Sequence, residues 1–262
     1  MADTTTAATT AKPKVTLHWL DQSRAQRIVW LLRECKDNID YDIKVYKRGK
    51  DFLAPDDLKK NHPLGKSPQI TIESANIDKP IVLAESGMMT EYLVEHFAPH
   101  LAPKKWQEGK DGQVGGETAE WLRYRYYMHF AEGSLMSFLL LGLVIDQIRE
   151  APVPFFLKPI TRTVAGKVDD AFLTRNFLNY FNFLESEVAS SPKGGKYICG
   201  TELTAADMMM SFPLLAAKSR NKIDKAKYPK LMAYIETIEK DEGYQASVKE
   251  IEEKTGDKFK VV

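Results

Sequence analysis

The segment His62–Leu93, HPLGKSPQITIESANIDKPIVLAESGMMTEYL, decides how the whole chain is read. Ser67-Pro68 opens a short β-type run, Gln69 to Glu73. Proline has no N–H to give to a sheet ladder, so it belongs at a strand's first residue, at an edge or in a special turn. An X-Pro bond here is also one that adopts the cis form far more readily than other peptide bonds, turning the backbone of Ser67 outward. A second β-type run, Ile81 to Ala84, leads directly into Glu85-Ser86-Gly87. A helical pattern then carries Met88, Tyr92, Leu93 and Phe97. A helix that starts this way presents unpaired backbone N–H groups and the positive end of its dipole. The Ser86 hydroxyl beside them suits a carboxylate and the Glu85 carboxylate suits an ammonium group, so the pair matches the head of an α-amino acid. Taken singly, Ser86 reads as a helix cap and Pro68 as a turn device.

Upstream, Lys14 to Leu20 alternates as a strand, with Val15, Leu17 and Trp19 on one face. Asp21 to Arg24 breaks the alternation, Ala25 to Glu34 reads as a helix, and Tyr41 to Lys47 as a second strand. Strands alternating with helices predict a sheet with parallel strands, and the Glu73–Pro80 gap lets the last two pair as a hairpin. Downstream, residues 99–116 are rich in glycine, proline and lysine and read as a linker. Beyond it the β signal stops. Helical segments are expected over Glu117–Asp146, Ile160–Phe172, Asn176–Ala189, Thr204–Lys218 and Lys230–Glu239, followed by a charged tail. Thr204 and Asp207 read as a capping box, with Leu203 and Met208 as its hydrophobic staple.

Composition narrows the function classes. With 37 basic and 36 acidic residues, bulk charge does not argue for nucleic acid or an anionic surface. Cys35 and Cys199 lack any metal-ligand or Cys-x-x-Cys spacing and read as reduced structural thiols; no metal is expected. The polar Thr/Ala-rich N-terminus lacks the apolar core of a secretory signal. Leu135 to Ile145 is too short for the ~20 apolar residues of a membrane span and reads as a buried helix.

The Ser67-Pro68 and Glu85-Ser86 pairs resemble the glutathione-binding half of the cytosolic glutathione transferases. The Thr204–Asp207 box resembles the same family in the second domain, and the run His18 to Ala25 (HWLDQSRA) with Glu132-Gly133-Ser134 resembles its fungal members. That resemblance implies a thioredoxin-like α/β domain over residues 14–98, preceded by a flexible tail (1–13) and followed by the linker (99–116) and an all-α domain (117–262). It implies glutathione as co-substrate, bound by Lys66, Ser67, Pro68, Glu85 and Ser86. It also implies transfer of the glutathione thiolate to hydrophobic electrophiles, with organic hydroperoxides as further substrates. In serine-type members the activating serine lies four residues before an arginine, a spacing that Ser23 and Arg27 reproduce; Arg24 beside them is able to support the thiolate electrostatically or to bind a carboxylate.

A free thiol has a pKa of about 8.5, and lowering it by about two units requires roughly 2.7 kcal/mol of preference for the anion. A hydroxyl hydrogen bond at a helix start is of that size. Tyrosine-type activation is disfavoured because His18 and Trp19 occupy the strand end, and cysteine-type activation because Cys35 lies at the far end of the helix. The family's histidine near the second helix is replaced by Phe52, which shifts the glycyl carboxylate toward Lys66 and the Lys47-Arg48 pair. Tyr124, Tyr127 and Met128 on the long helix are expected to line an electrophile pocket between the domains. A cytoplasmic homodimer is the family expectation, with peripheral association with internal membranes left open. A catalytically weak binding or regulatory protein of the same fold is the alternative.

Overall fold

The computed structural model describes residues 11–261, so most of the 1–13 tail lies outside the described residues. The chain folds as two units. The first runs through Pro99 and also takes in Ala246–Lys260; the second spans His100–Gln245.

The first unit is built on a four-stranded sheet: β1 (Lys14–Leu20), β2 (Asp40–Tyr46), β3 (Gln69–Glu73) and β4 (Ile81–Ala84). The order is β2-β1-β3-β4. β1 runs parallel to β2 and antiparallel to β3, and β3 and β4 form the expected hairpin. Val15, Leu17 and Trp19 are buried as the alternation predicts, but His18 and Leu20 on the opposite face are buried too. Leu58, on a short 3-10 turn over Asp56–Lys60, closes that second face against Leu20 and Tyr46.

Two helices follow strands in this unit. In α1 (Gln26–Cys35) the seven residues from Gln26 to Leu32 are all buried, so the helix is covered on every side there. In α2 (Ser86–Phe97) the buried stripe is Ser86, Met89, Thr90, Leu93 and Val94. That is the helical period shifted from the expected set: Met88 is exposed, because Met89 and not Met88 shares a face with Leu93.

The last helix of the chain, Glu242–Thr255, replaces the expected charged tail and departs from the expected 117–262 domain boundary. Its residues from Ala246 onward pack with the first unit. Gln26 Nε2 donates to Ser247 Oγ at 3.0 Å, and Arg33 and Tyr41 both donate to Glu250 Oε2, at 2.7 and 2.9 Å. Its charged face hid it in the sequence: Glu250 reads as solvated, yet it supplies the acceptor that the α1 and β2 donors require.

The second unit is helical. α3 (Ala119–Phe130) and α4 (Ser137–Arg149) are joined without a break through a widened π turn over Ala131–Met136, where Glu132-Gly133-Ser134 sits. α5 (Lys158–Val168) continues in the same manner through Asp169–Leu173 into α6 (Thr174–Ala189). α7 (Ala205–Ser219) and α8 (Pro229–Lys240) follow, and the final helix is α9. α4 is buried on one face only, through Leu139, Gly142 and Ile145; Leu140, Leu141, Val144 and Ile148 are exposed. The reading of Leu135–Ile145 as a buried helix therefore holds for half its circumference.

α7 is the spine of this unit, buried continuously from Ala205 to Ala217. Its capping box is present. Asp207 Oδ2 accepts from Thr204 N (2.9 Å) and Thr204 Oγ1 (2.7 Å), while Oδ1 accepts from Ile198 N (2.9 Å) and Tyr234 OH (2.7 Å). The carboxylate is fully buried. Burial raises its pKa against the opposing pull of these four donors. Asp207→Ala leaves all four without an acceptor, and is expected to cost about 3–5 kcal/mol in urea unfolding. A loss below about 1 kcal/mol would contradict this role.

Candidate functional site

The register places the candidate residues at one end of the sheet. His18 near the end of β1 pairs with Gln69 at the start of β3, and Gln69 pairs with Ala84 at the end of β4. Leu20 pairs with Tyr46 at the end of β2. The turn carrying Ser23, the Ser67-Pro68 bend and the Glu85-Ser86 helix mouth therefore open on the same edge. Ligands gather at such strand ends because the loops there are free to carry side chains.

The Ser67-Pro68 peptide is cis. Pro68 is buried, and the Ser67 hydroxyl donates to the His18 carbonyl at 2.9 Å, so its side chain is spent on β1. Glu85 is exposed and sits at φ 68°, ψ 112°, a conformation that costs a non-glycine residue about 1–3 kcal/mol. α2 begins at the next residue. Ser86 is buried, and its Oγ accepts from Arg27 Nη2 at 2.7 Å. The sequence singled out Arg27 only for its spacing from Ser23. In the structure it is fully buried on α1, and it brings a positive charge to the mouth of α2, where the helix dipole already favours an anion.

Ser23 lies two residues before the cap of α1 and does not adjoin the helix directly. Its Oγ donates to Leu20 O at 2.7 Å and accepts from Ala25 N at 3.2 Å, closing the turn on itself. Arg24 is half-buried beside it. Lys66 is exposed and makes no ion pair among the described residues.

The Lys47-Arg48 pair departs from the expected role at the glycyl carboxylate. Lys47 pairs with Asp257 at 2.8 Å. The Arg48 guanidinium donates to three backbone carbonyls: Asp21 O (3.2 Å), Gln22 O (3.1 Å) and Phe52 O (3.0 Å). A guanidinium engaged on three sides has little left for a carboxylate.

In the helical unit Tyr124, Tyr127 and Met128 are buried. The Tyr127 hydroxyl donates to Glu187 Oε2 at 2.8 Å, and its ring meets Tyr126 and Phe130 edge-on. These interactions make Tyr127 core of the helical unit, against its expected place in a pocket wall. Burial pushes the Cys35 thiol up to about 12 and raises Cys199 as well, so neither is a ready nucleophile.

Sequence reasoning missed a polar cluster on the second face of the sheet. His18 Nδ1 lies 3.1 Å from Asn61 Nδ2 and 3.0 Å from Tyr46 OH, and its Nε2 lies 2.9 Å from Thr71 Oγ1. With the Asn61 NH2 group facing Nδ1, that nitrogen accepts and Nε2 carries the proton toward Thr71 Oγ1. A period-2 pattern places His18 opposite the apolar face and signals nothing more. The amide of Gln69, fully buried beside Pro68, has no partner among the described residues. No group of three or more His, Cys, Asp or Glu side chains among the described residues is arranged for a metal.

The family model for the glutathione S-transferase N-terminal domain matches residues 14–95, and that for the C-terminal domain matches 148–246. The chain is 34% identical to glutathione S-transferase 1 of Saccharomyces cerevisiae over 90% of its own length and 94% of that protein. Among solved structures, a glutathione S-transferase from Actinobacillus pleuropneumoniae superposes with a TM-score of 0.64 at 28% identity, covering 94% of this chain and 95% of that one. A glutathione transferase homologue from Lodderomyces elongisporus, determined with two glutathiones per subunit, shares the fold at a TM-score of 0.61 and 18% identity, over 89% and 97% of the two chains. The chain belongs to the glutathione S-transferase family, with the thioredoxin-like and helical architecture of that family.

His18 gives the site's support a pH dependence. Burial, then the charge of Lys44, lowers its pKa from 6.5. The folded state therefore holds His18 neutral, while the unfolded chain takes up a proton below about pH 6.5. The stability that the neutral ring contributes is complete above that pH and is lost as pH falls through the depressed folded value. Urea unfolding followed across this range should show that loss in the wild type. His18→Gln should flatten it; a slope unchanged by that substitution would remove His18 as its source.

Proposed function

We propose that the chain binds reduced glutathione at this sheet edge and transfers its thiolate to hydrophobic electrophiles. The observation that carries the reading is the mouth of α2: Ser86 at the helix start, Arg27 behind it and the backbone of Glu85 held at positive φ. This arrangement suits the γ-glutamyl end, with the carboxylate taken by the Ser86 hydroxyl and the first N–H groups of α2. The ammonium group goes to the exposed Glu85. The backbone of Ser67, next to Pro68, is assigned to the cysteinyl segment, and the exposed Lys66 to the glycyl carboxylate.

In the transfer step the bound thiol gives its proton to solvent. The resulting sulfur lone pair forms a C–S bond to the electrophile as its leaving group departs with the electron pair. Ser23 supports the anion by redirecting its hydroxyl proton from Leu20 O to the sulfur, and Arg24 adds positive potential. The same thiolate attacking the hydroperoxide oxygen breaks the O–O bond, the alkoxide leaving as the alcohol once protonated; the glutathione sulfenic acid formed is reduced by a second glutathione to the disulfide and water. A homodimer is the assembly we propose for the active form.

A second reading has one observation behind it. The Ser23 proton is already donated to Leu20 O at 2.7 Å, as expected of a protein that binds glutathione but turns it over poorly. Kinetics on the wild type and on Ser23→Ala separates the two. Loss of one hydrogen bond to a charged sulfur should lower turnover of a model aryl halide by about tenfold to a hundredfold, with glutathione affinity kept within about threefold. Unchanged turnover would remove Ser23 from the chemistry, whereas turnover near background in the wild type itself would favour the binding reading. Ser86→Ala should instead weaken glutathione uptake in calorimetry by about tenfold or more; wild-type affinity in that variant would overturn the γ-glutamyl assignment.

A further inference from the structure

The Arg48 guanidinium bridges the two loops that frame the sheet edge. Nε and Nη2 hold the carbonyls of Asp21 and Gln22 in the turn leaving β1, and Nη1 holds the carbonyl of Phe52 in the loop leaving β2. The backbone N–H of Arg48 adds a fourth bond, to Asp21 Oδ1 at 3.1 Å. Two of its carbonyl acceptors belong to residues in the left-handed region, Gln22 at φ 46° and Phe52 at φ 61°. For residues with a side chain that conformation is disfavoured, and it persists only where neighbouring groups hold it.

Gln22 directly precedes Ser23, so its torsion sets the direction in which Ser23 leaves the strand. Ser23 closes the turn from inside through Leu20 O and Ala25 N; Arg48 closes it from outside through the two carbonyls before Ser23. The Phe52 loop is also bonded to itself, Gly49 N to Leu53 O at 3.1 Å and Phe52 N to Gly49 O at 3.0 Å, which makes it a firm anchor for the clamp. We propose that Arg48 is a positioning residue for thiol activation: it keeps Gln22 in the left-handed conformation and so aims Ser23 at the glutathione sulfur. The role rests on the glutathione reading above.

It requires arginine in particular. Three carbonyls on two loops need the planar fork of N–H groups, and a lysine ammonium carries equal charge without that geometry. Charge alone acting on the thiolate would be preserved by lysine; a clamp would not.

The test uses Arg48→Lys and Arg48→Ala in the full-length protein. Three quantities are read: glutathione affinity by calorimetry, kcat against KM, and the pH profile that reports the thiol pKa in the complex. In both variants the thiol pKa should rise by about one unit and kcat/KM at neutral pH should fall about tenfold, with glutathione affinity within about threefold of wild type. Amides of residues 21–25 should exchange faster with solvent in the ligand-free variants. A merely structural role would lower the melting temperature and leave the pH profile in place. If Arg48→Ala does not fold, Arg48→Lys carries the test alone. A lysine variant with the wild-type pH profile overturns the proposal. Absence of glutathione uptake by the wild type itself is a different failure, and brings down the functional reading before any variant is made.

Discussion

The buried guanidinium of Arg27 is the constraint on which the site depends. A fixed positive charge can be taken out of water only where acceptors are already arranged for it, and one of these is the Ser86 hydroxyl at 2.7 Å. That bond ties α1, which follows the first strand, to the first residue of α2, which follows the fourth. The two elements lie far apart in sequence, and this desolvated interaction helps hold their starts in register. Because the acceptor is the cap region of a helix, the same interaction places positive charge behind a set of free N–H groups. The pairing that stabilises the fold thus also prepares the corner for an anion.

Around this pair the sheet edge is assembled from conformations that local sequence disfavours. Gln22, Phe52 and Glu85 all adopt positive φ with full side chains. Gln22 directly precedes Ser23, and Glu85 directly precedes Ser86. Such torsions are retained where the surroundings over-determine them, and here the surroundings are identifiable: Arg48 for the first two, the α2 N-terminus for the third. Beneath them, His18 joins β1 to β2, β3 and the Asn61 turn, while its own carbonyl takes the Ser67 hydroxyl. Polar groups therefore do much of the work on this face, where the opposite face relies on aliphatic packing.

The helical unit follows another logic. Its centre is α7, and Asp207 draws the Ile198 segment, the α7 cap and α8 together through four hydrogen bonds to one carboxylate. The aromatic residues of α3 mostly close the interior of this unit. A tyrosine at helical spacing is equally compatible with a pocket wall and with a core, and the Glu187 acceptor decides for core at Tyr127.

Much of the architecture was legible in the linear chain because it rests on local rules. Period-2 and period-3.6 patterns located β3, β4 and the order of elements. Ser67-Pro68 marked the bend, Glu85-Ser86 the helix start, and Thr204 with Asp207 the capping box. What remained hidden depends on partners distant in sequence. The burial of Gln26 and Arg27, the use of Glu250 as an acceptor for α1, the membership of α9 from Ala246 onward in the first unit and the hold of Arg48 on the Asp21 and Gln22 carbonyls all arise from contacts across tens to hundreds of positions. A charged side chain looks solvated until the fold removes its water, and only the tertiary structure decides which charges those are. Local pattern determined where the chain turns and which residues reach the sheet edge; the cost of desolvating polar groups, settled after packing, determined what each of them is bound to there.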